Sequence, residues 1–478
     1  MQFLLEHGVG YFNTLKKHHL ILVFTFFFLL RAVFVLISPL RGDEKEYAVI
    51  AKTVSFNPKT LNLPLEDPLV KHPLLAIYAI KASISTLGDN TAAYRFFALL
   101  AGCLSLIVLY RFLLKVQSEN VAFVGLVLLG LNVFHIGATI ANSLMMFFSI
   151  CAVALFWKGI VERKIWPLIG CGIVLGFGFL NKELIAGLLV CFFIYGLVFG
   201  EHSRKLFMKE FGVILLAFFI ILIPYIVYIS QNGTSSRLLN KNYMLDFNPN
   251  LLGIDFYLVR LRGMLTGVDY KTFLSWEHHP MGILAGIMLW GGAIIGMVKV
   301  RNKLAKLMAI IFIFFVTLTC FMGRAEHTWA QITIFPAVFF TSILLERLYA
   351  GNRFNAYFVW GLLVALLIFS ISFIHDSRFL YPPNRFDAVA DYDTDLMQWY
   401  YQNGEIERAM KEAREALLIC PNEVRIMNLL GILYSSRGDA GMARAYFQRA
   451  LSIKSNFHPA QINLQYLDSG QGREFIAE

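Results

Sequence analysis

Two acidic residues, Asp43 and Glu44, follow directly after the first long apolar segment of the chain. Carboxylates beside a hydrocarbon layer are costly, and such residues usually have a function there. A carboxylate within reach of a hydroxyl group acts as a general base by accepting its proton. Acidic residues are also common at helix starts, where they cap the helix and interact with its dipole. The pair alone therefore leaves a catalytic and a capping interpretation open.

Cations and aromatic side chains are the second group of chemical interest. Arginine and lysine stabilise phosphate oxygens, more strongly in a desolvated cavity. Aromatic and amide side chains are suited to contacts with a sugar ring. The candidate phosphate-binding residues are Lys71, His72, Arg95, Lys182, Arg260, Arg262 and Arg324. The candidate sugar or acceptor contacts are Asn142, Tyr243 and His327.

Composition indicates the class of protein that must position these residues. The chain has 478 residues, of which 57% are hydrophobic and only 15% are charged. A soluble protein of this size carries about a quarter charged residues. The net charge of +10 comes mostly from short basic clusters between apolar segments, which is typical of membrane topology signals and not of nucleic-acid binding. The six cysteines form no CxxC pair, so neither a disulfide framework nor a zinc site is suggested. No cofactor is predicted, and the sequence leaves dependence on a divalent metal open.

The apolar segments predict an all-α polytopic membrane protein. Basic clusters lie in alternate loops, which the positive-inside rule places in the cytoplasm. The N-terminus is then cytoplasmic, whereas loops 39–90 and 231–280 and the polar tail face outward. The eleven predicted spans are 20–38, 91–113, 120–137, 139–157, 165–181, 184–200, 211–230, 281–298, 305–322, 329–346 and 355–374.

Two shorter amphipathic segments interrupt the outward loop 39–90. Residues 43–55 have apolar side chains on one side of a helix, and residues 74–87 are apolar but too short to cross a bilayer. Both are predicted to be interfacial helices that lie on the outer membrane surface.

The polar tail contains an internal repeat. Similar residues recur at a spacing of 34 residues, which is the tetratricopeptide period. The repeated pairs are Tyr400/Tyr434, Gly404/Gly438, Ala409/Ala443 and Ala416/Ala450. Fewer than three full repeats leave an apolar face uncovered, so a capping helix or a docking partner is expected. The predicted domains are therefore 1–375 in the membrane and a repeat domain over 391–478.

Four stretches resemble the polyprenyl-phosphate-dependent glycosyltransferases with the GT-C fold. They occur in the family's order: "GDEKEYAVIAK", "HPLLAIYAIKASISTLGDNTAAYRFFALLAG", "GFGFLNKELIAG" and "GRAEHTWAQITIFPAVF". The similar branches are the protein O-mannosyltransferase-like group and the aminoarabinose transferases that modify lipid A. Two positions depart from the family pattern, because Asn142 stands where an acidic residue is common and His72 stands where some members have lysine.

The resemblance implies a polyprenyl-phosphate-sugar donor and inverting transfer to a hydroxyl group on the outer membrane face. The acceptor is a protein, lipid A or a surface glycan. It implies that Asp43 is the general base and that the cations hold the donor phosphate. It also favours a bacterial inner membrane. The repeat tail is expected to bind a protein partner or acceptor.

Two functions from other classes are alternatives. A lipid or polysaccharide transporter is expected to show charged residues within the membrane, with paired repeats or broken helices. We expect neither feature from the sequence. A non-catalytic scaffold that displays the repeats does not need the clustered polar residues of the outer loops.

Overall fold

The computed structural model contains both a bundle of apolar helices and a set of C-terminal repeat helices. The structure describes residues 17–37, 43–53, 75–136, 140–199, 204–231, 287–321, 331–350, 353–375, 397–398, 400–419 and 421–469. The chain divides into two compact units, one made of 1–38 and 65–377 and the other of 39–64 and 378–478. The segment 39–64 therefore groups with the tail, whereas the predicted boundary assigns it to the membrane domain.

The larger unit is a bundle of helices. No β-strand occurs in the described ranges, and the all-α prediction is confirmed. In chain order, with α2 reserved for the smaller unit, these helices are α1 (Lys17–Ile37), α3 (Leu75–Leu87), α4 (Thr91–Val116), α5 (Glu119–Gly130), α6 (Val133–Ile136), α7 (Ile140–Glu162), α8 (Ile165–Asn181), α9 (Gly187–Phe199), α10 (Arg204–Gln231), α11 (Gly292–Lys299), α12 (Lys303–Phe321), α13 (Gln331–Tyr349) and α14 (Arg353–His375).

Ten of the eleven predicted spans are helical throughout their described parts, and the exception is 120–137. Among the described residues, four helices are long and apolar enough to cross a membrane by themselves, namely Thr91–Val116, Ile140–Glu162, Lys205–Val227 and Ile332–Tyr349. Many of their exposed side chains are large and apolar, such as Leu216 and Ile220 on α10. Apolar side chains on the outside of a bundle are favourable in lipid. The chain is therefore an integral membrane protein, while the count of eleven spans stays a prediction.

One predicted span is wrong as a single helix. The segment 120–137 is interrupted at Leu131 and Asn132, where α5 ends and the short helix α6 begins. Asn132 caps α6, because its Oδ1 accepts a hydrogen bond from the His135 N–H at 3.1 Å. An asparagine that offers this local bond competes with continuation of the preceding helix.

Helices α7 and α8 form an antiparallel hairpin that places two predicted site residues at the same end. They are joined at Arg163, which has a left-handed φ of 54°. Helix α7 also packs against α4, and α8 packs against α10. The start of α7 and the end of α8 therefore lie side by side.

The smaller unit contains α2 (Asp43–Thr53), α15 (Ile406–Ile419), α16 (Val424–Ser436), α17 (Ala440–Ile453) and α18 (His458–Ser469). The repeated glycines, Gly404 and Gly438, have φ values of 75° and 85°, a conformation that side chains with a Cβ rarely adopt. The repeated alanines are buried between the helices. Helix α18 packs on α17 and α16, and Asn463 donates to Asn428 Oδ1 at 2.9 Å inside this contact. Helix α18 therefore covers the last repeat, as expected of a capping helix.

Gly431 allows α16 and α17 to approach closely. A Cβ at this position would lie 2.3 Å from the ring of Phe447, which is fully buried. Gly431→Ala is expected to lower the stability of the repeats by about 1–3 kcal/mol, because the ring has no space to move into. Amide hydrogen exchange of α16 and α17 in the full-length protein measures the change.

Gly441→Ala is the matched control for this substitution. A Cβ added at Gly441 would lie 3.6 Å from Asp439 Oδ1, which is an ordinary contact distance. Alanine there is expected to slow exchange, because it favours the helix by about 0.5–1 kcal/mol relative to glycine. Equal protection in the two variants would contradict the packing argument.

Candidate donor-phosphate site

Lys182 and Asn142 form a buried pair at the adjoining ends of α7 and α8. Lys182 Nζ donates a hydrogen bond to Asn142 Oδ1 at 3.0 Å, and both residues are only 2–3% exposed. Next to this pair, Asn181 Nδ2 donates to the Ala141 carbonyl at 2.7 Å. The sequence predicted separate roles for Lys182 and Asn142, and the structure brings the two residues into direct contact.

The local backbone fixes where the Lys182 side chain starts. Lys182 is the residue after the last turn of α8, and its N–H donates to the Gly178 carbonyl at 2.8 Å. A short 3₁₀ helix, Glu183–Ala186, begins directly after it. The lysine is therefore held between two helical segments, with its ammonium group directed inward. A buried ammonium group attracts an anion more strongly than an exposed one, because water screens it less.

Arg31 is a buried cation that the sequence reasoning missed. It lies inside α1 and is 3% exposed. Its Nη2 donates to Ser143 Oγ at 2.6 Å and to the Ala98 carbonyl at 3.1 Å, and its Nη1 donates to the His135 carbonyl. Arg31 is a charged residue inside the predicted span 20–38, where none was expected from the sequence. A single arginine within the first apolar segment was the signal that could have revealed it.

Arg95 joins α4 to the end of α1. Its Nη1 donates to the Val35 carbonyl at 3.4 Å, and its guanidinium carbon lies 5.5 Å from the centre of the Phe34 ring. A cation near the carboxyl end of a helix is favoured by the helix dipole. The structure gives Arg95 this packing role, and its phosphate contact stays a prediction.

The motif before Arg95 forms the joint between α3 and α4. Gly88 has a φ of 82° where α3 ends, which suits the left-handed residue after a helix. Asn90 caps α4, because its Oδ1 accepts from the Ala93 N–H at 2.9 Å. Tyr94 Oη donates to Asp89 Oδ1. These residues are explained by the geometry of the turn.

The acidic pair begins a helix, as predicted. Asp43 and Glu44 are the first two residues of α2, and Glu44 is buried with 6% of its surface exposed. The side chain of Asp43 lies outside the described part of the structure. At the other end of α2, Lys52 Nζ donates to Tyr400 Oη at 2.6 Å and lies 3.8 Å from the centre of its ring. Helix α2 is thus attached to the first residue of the repeat pattern.

Several predicted site residues lie outside the described residues, and their roles stay predictions. These are Lys71, His72, Tyr243, Arg260, Arg262, Arg324 and His327. Within the described ranges, no group of three or more histidine, cysteine or acidic side chains is arranged to hold a metal ion.

Comparison with known proteins identifies two family segments. Residues 71–228 match the family model described as dolichyl-phosphate-mannose-protein mannosyltransferase, and residues 424–457 match a tetratricopeptide repeat. The first segment contains Arg95, Asn142 and Lys182. A search of curated protein sequences gives no significant match.

Two solved structures share the fold over almost the whole chain. ArnT from Cupriavidus metallidurans bound to undecaprenyl phosphate has a TM-score of 0.57 at 16% sequence identity, covering 95% of this chain and 78% of that one. The same protein in the apo state has a TM-score of 0.52 at 14% identity, covering 91% of this chain and 75% of that one. The chain is therefore a membrane protein with the GT-C glycosyltransferase fold. It carries tetratricopeptide repeats at its C-terminus.

Proposed function

We propose that this protein transfers a sugar from a polyprenyl-phosphate donor to an acceptor hydroxyl group on the outer face of the membrane, with inversion at the anomeric carbon. The acceptor hydroxyl belongs to a protein, lipid A or a surface glycan. Asp43 accepts the proton of the attacking hydroxyl, and Lys182 stabilises the departing lipid phosphate.

The buried Lys182–Asn142 pair is the observation that carries this proposal. It lies within the segment that matches the mannosyltransferase family model, in a chain with the fold of a protein that binds undecaprenyl phosphate. A phosphate leaving group needs cations aimed at its developing charge. Asn142 is neutral and accepts from the ammonium group through its amide oxygen, so this contact does not neutralise the charge of the lysine.

The remaining predicted residues are assigned by their chemistry. Lys71, His72, Arg95, Arg260, Arg262 and Arg324 are proposed donor-phosphate contacts, and Tyr243 and His327 are proposed sugar or acceptor contacts. Glu44 is the second carboxylate of the proposed catalytic pair. No cofactor is proposed.

Mass spectrometry of surface glycans and glycoproteins tests this proposal in cells. Cells that lack the protein are expected to lose one sugar modification, which returns with the wild-type chain and not with an Asp43→Asn variant. An unchanged profile of glycoproteins, lipid A and surface glycans in the deletion strain would refute the proposed transfer.

We propose that the protein lies in a bacterial inner membrane with its N-terminus in the cytoplasm and its repeats outside. In a Cys420→Ser background, Gly472→Cys is then expected to react with a membrane-impermeant thiol reagent in spheroplasts. Lys164→Cys, in the connection between α7 and α8, is the control and is expected to react only after lysis. The reverse pattern would mean that the orientation is inverted.

The repeats are proposed to bind a protein partner or acceptor. The Lys52–Tyr400 contact attaches them to the helix that carries the acidic pair. The non-catalytic scaffold does not account for the buried polar pair of Lys182 and Asn142. Arg31 and the break after α5 are features that a transporter also has, but the match of residues 71–228 to a mannosyltransferase model favours the enzyme.

A further inference from the structure

Arg31 is held in α1 by groups that carry no charge. Its described hydrogen-bond partners are the carbonyls of Ala98 and His135, the hydroxyl of Ser143 and, at 3.5 Å, the His135 ring nitrogen Nδ1. Its Nε is buried without a hydrogen-bond partner among the described residues. An arginine inside a membrane helix is costly, and such residues usually serve a function.

The surrounding helices are shaped around this guanidinium group. A Cβ on Gly102 would lie 2.3 Å from Arg31 Cζ, so only glycine leaves space for it. The same segment of α4 contacts His135, whose Nε2 lies 3.2 Å from the Gly102 carbonyl oxygen. The His135 carbonyl in turn accepts from Arg31. Arg31 therefore joins α1 to α4, α6 and α7 at one point.

That point adjoins the candidate phosphate site through the first turn of α7. Ser143, which accepts from Arg31, directly follows Asn142, which accepts from Lys182 Nζ. The residue before them, Ala141, accepts from Asn181. Three consecutive residues of α7 are thus held from two sides, by α1 and by the end of α8.

We propose that Arg31 is a positioning residue for the donor-phosphate contact of Lys182. By fixing Ser143, it sets the orientation of the first turn of α7, and the Asn142 carboxamide on that turn directs the Lys182 ammonium group. Positioning of this kind is sensitive, because small displacements of a binding or catalytic group cost large factors in rate. The inference rests on the proposed function of Lys182.

The test measures binding of undecaprenyl phosphate to the full-length protein in nanodiscs. Arg31→Lys keeps the positive charge but loses the two guanidinium nitrogens that donate to different helices. Ser143→Ala removes the hydroxyl that accepts from Arg31 and leaves Arg31 itself unchanged. Each is expected to raise the Kd for the lipid phosphate about tenfold, the effect of losing one charge-assisted hydrogen bond. Ser149→Ala is the matched control on the same helix. Among the described residues the Ser149 hydroxyl bonds only to the Met145 carbonyl, so the Kd of this variant is expected to be unchanged.

Coupling to Lys182 separates positioning from a general effect on folding. In a Lys182→Ala background, Ser143→Ala and Arg31→Lys are expected to have no further effect on the Kd. Full effects in that background, or an unchanged Kd for both single variants, would overturn the positioning role while leaving the function of Lys182 intact. If Lys182→Ala alone binds the lipid phosphate as tightly as the wild type, the proposed function of Lys182 and the inference both fail.

Discussion

Asp43→Asn is expected to slow sugar transfer by about 10²–10⁴-fold, the usual contribution of a general base. Asparagine keeps the size and hydrogen-bonding capacity of the side chain, but it cannot accept the proton of the attacking hydroxyl. Binding of the donor lipid is expected to stay normal, because the base acts on the acceptor. Single-turnover transfer with saturating donor measures this effect.

Glu46→Gln is the matched control, since Glu46 is a carboxylate on the same helix that has no proposed role. Its transfer rate is expected to stay within about twofold of the wild type, a change too small to indicate a loss of catalysis. Near-normal transfer by Asp43→Asn would falsify the catalytic role and leave the acidic pair as a helix cap.

Lys182→Ala is expected to weaken both donor binding and turnover. Hydrogen bonds to charged groups are typically worth about 1.5–3 kcal/mol, which corresponds to a Kd for the donor lipid raised about 10- to 100-fold. The rate of transfer at saturating donor is expected to fall as well, because the phosphate gains negative charge as it departs. Titration with donor lipid and single-turnover kinetics separate the two effects.

Lys164→Ala provides the control for this second substitution. Lys164 is a cation between the same two helices, but its side chain is 64% exposed and pairs with Glu162. Exposed ion pairs contribute little, so its donor Kd is expected to be unchanged. A Lys182→Ala variant that binds donor lipid like Lys164→Ala would show that the buried lysine only stabilises the fold.

The sequence predicted the helices well because lipid imposes a strict pattern. A run of apolar residues satisfies its backbone hydrogen bonds in the bilayer by forming a helix, so the described parts of ten of the eleven predicted spans are helical throughout. The 34-residue repeat was also predictable, because Gly404 and Gly438 need the same left-handed turn. The interruption at Asn132 was missed, since one polar residue scarcely changes the hydropathy of a long apolar run.

The contacts of the candidate site were less predictable. Lys182 and Asn142 were both selected as site residues, yet their pairing depends on how α7 and α8 turn back at Arg163. Arg31 was overlooked because its three neutral partners come from helices distant in sequence. The contact between Lys52 and Tyr400 joins two residues that are separated in the sequence by most of the predicted spans. Packing between helices determines all three arrangements.

The proposed donor gives a reason for a base that directly follows a predicted span in the sequence. A polyprenyl chain stays within the bilayer, so its phosphate and sugar are presented at the level of the lipid headgroups. The segment that carries a base for this donor is expected to follow directly after a membrane span. Helix α2 begins six residues after the last residue of α1. A soluble sugar-nucleotide donor would impose no such position.

Sugar transfer by the purified protein in liposomes tests this account most directly. The liposomes contain polyprenyl phosphate that carries a radiolabelled sugar, with an extract of outer-surface glycans, lipid A and proteins as acceptors. We expect the label to leave the lipid phosphate and appear in one acceptor fraction with the wild-type protein, and not with Asp43→Asn. Label that stays on the lipid with every sugar donor tried, or that moves equally well with Asp43→Asn, would contradict the account.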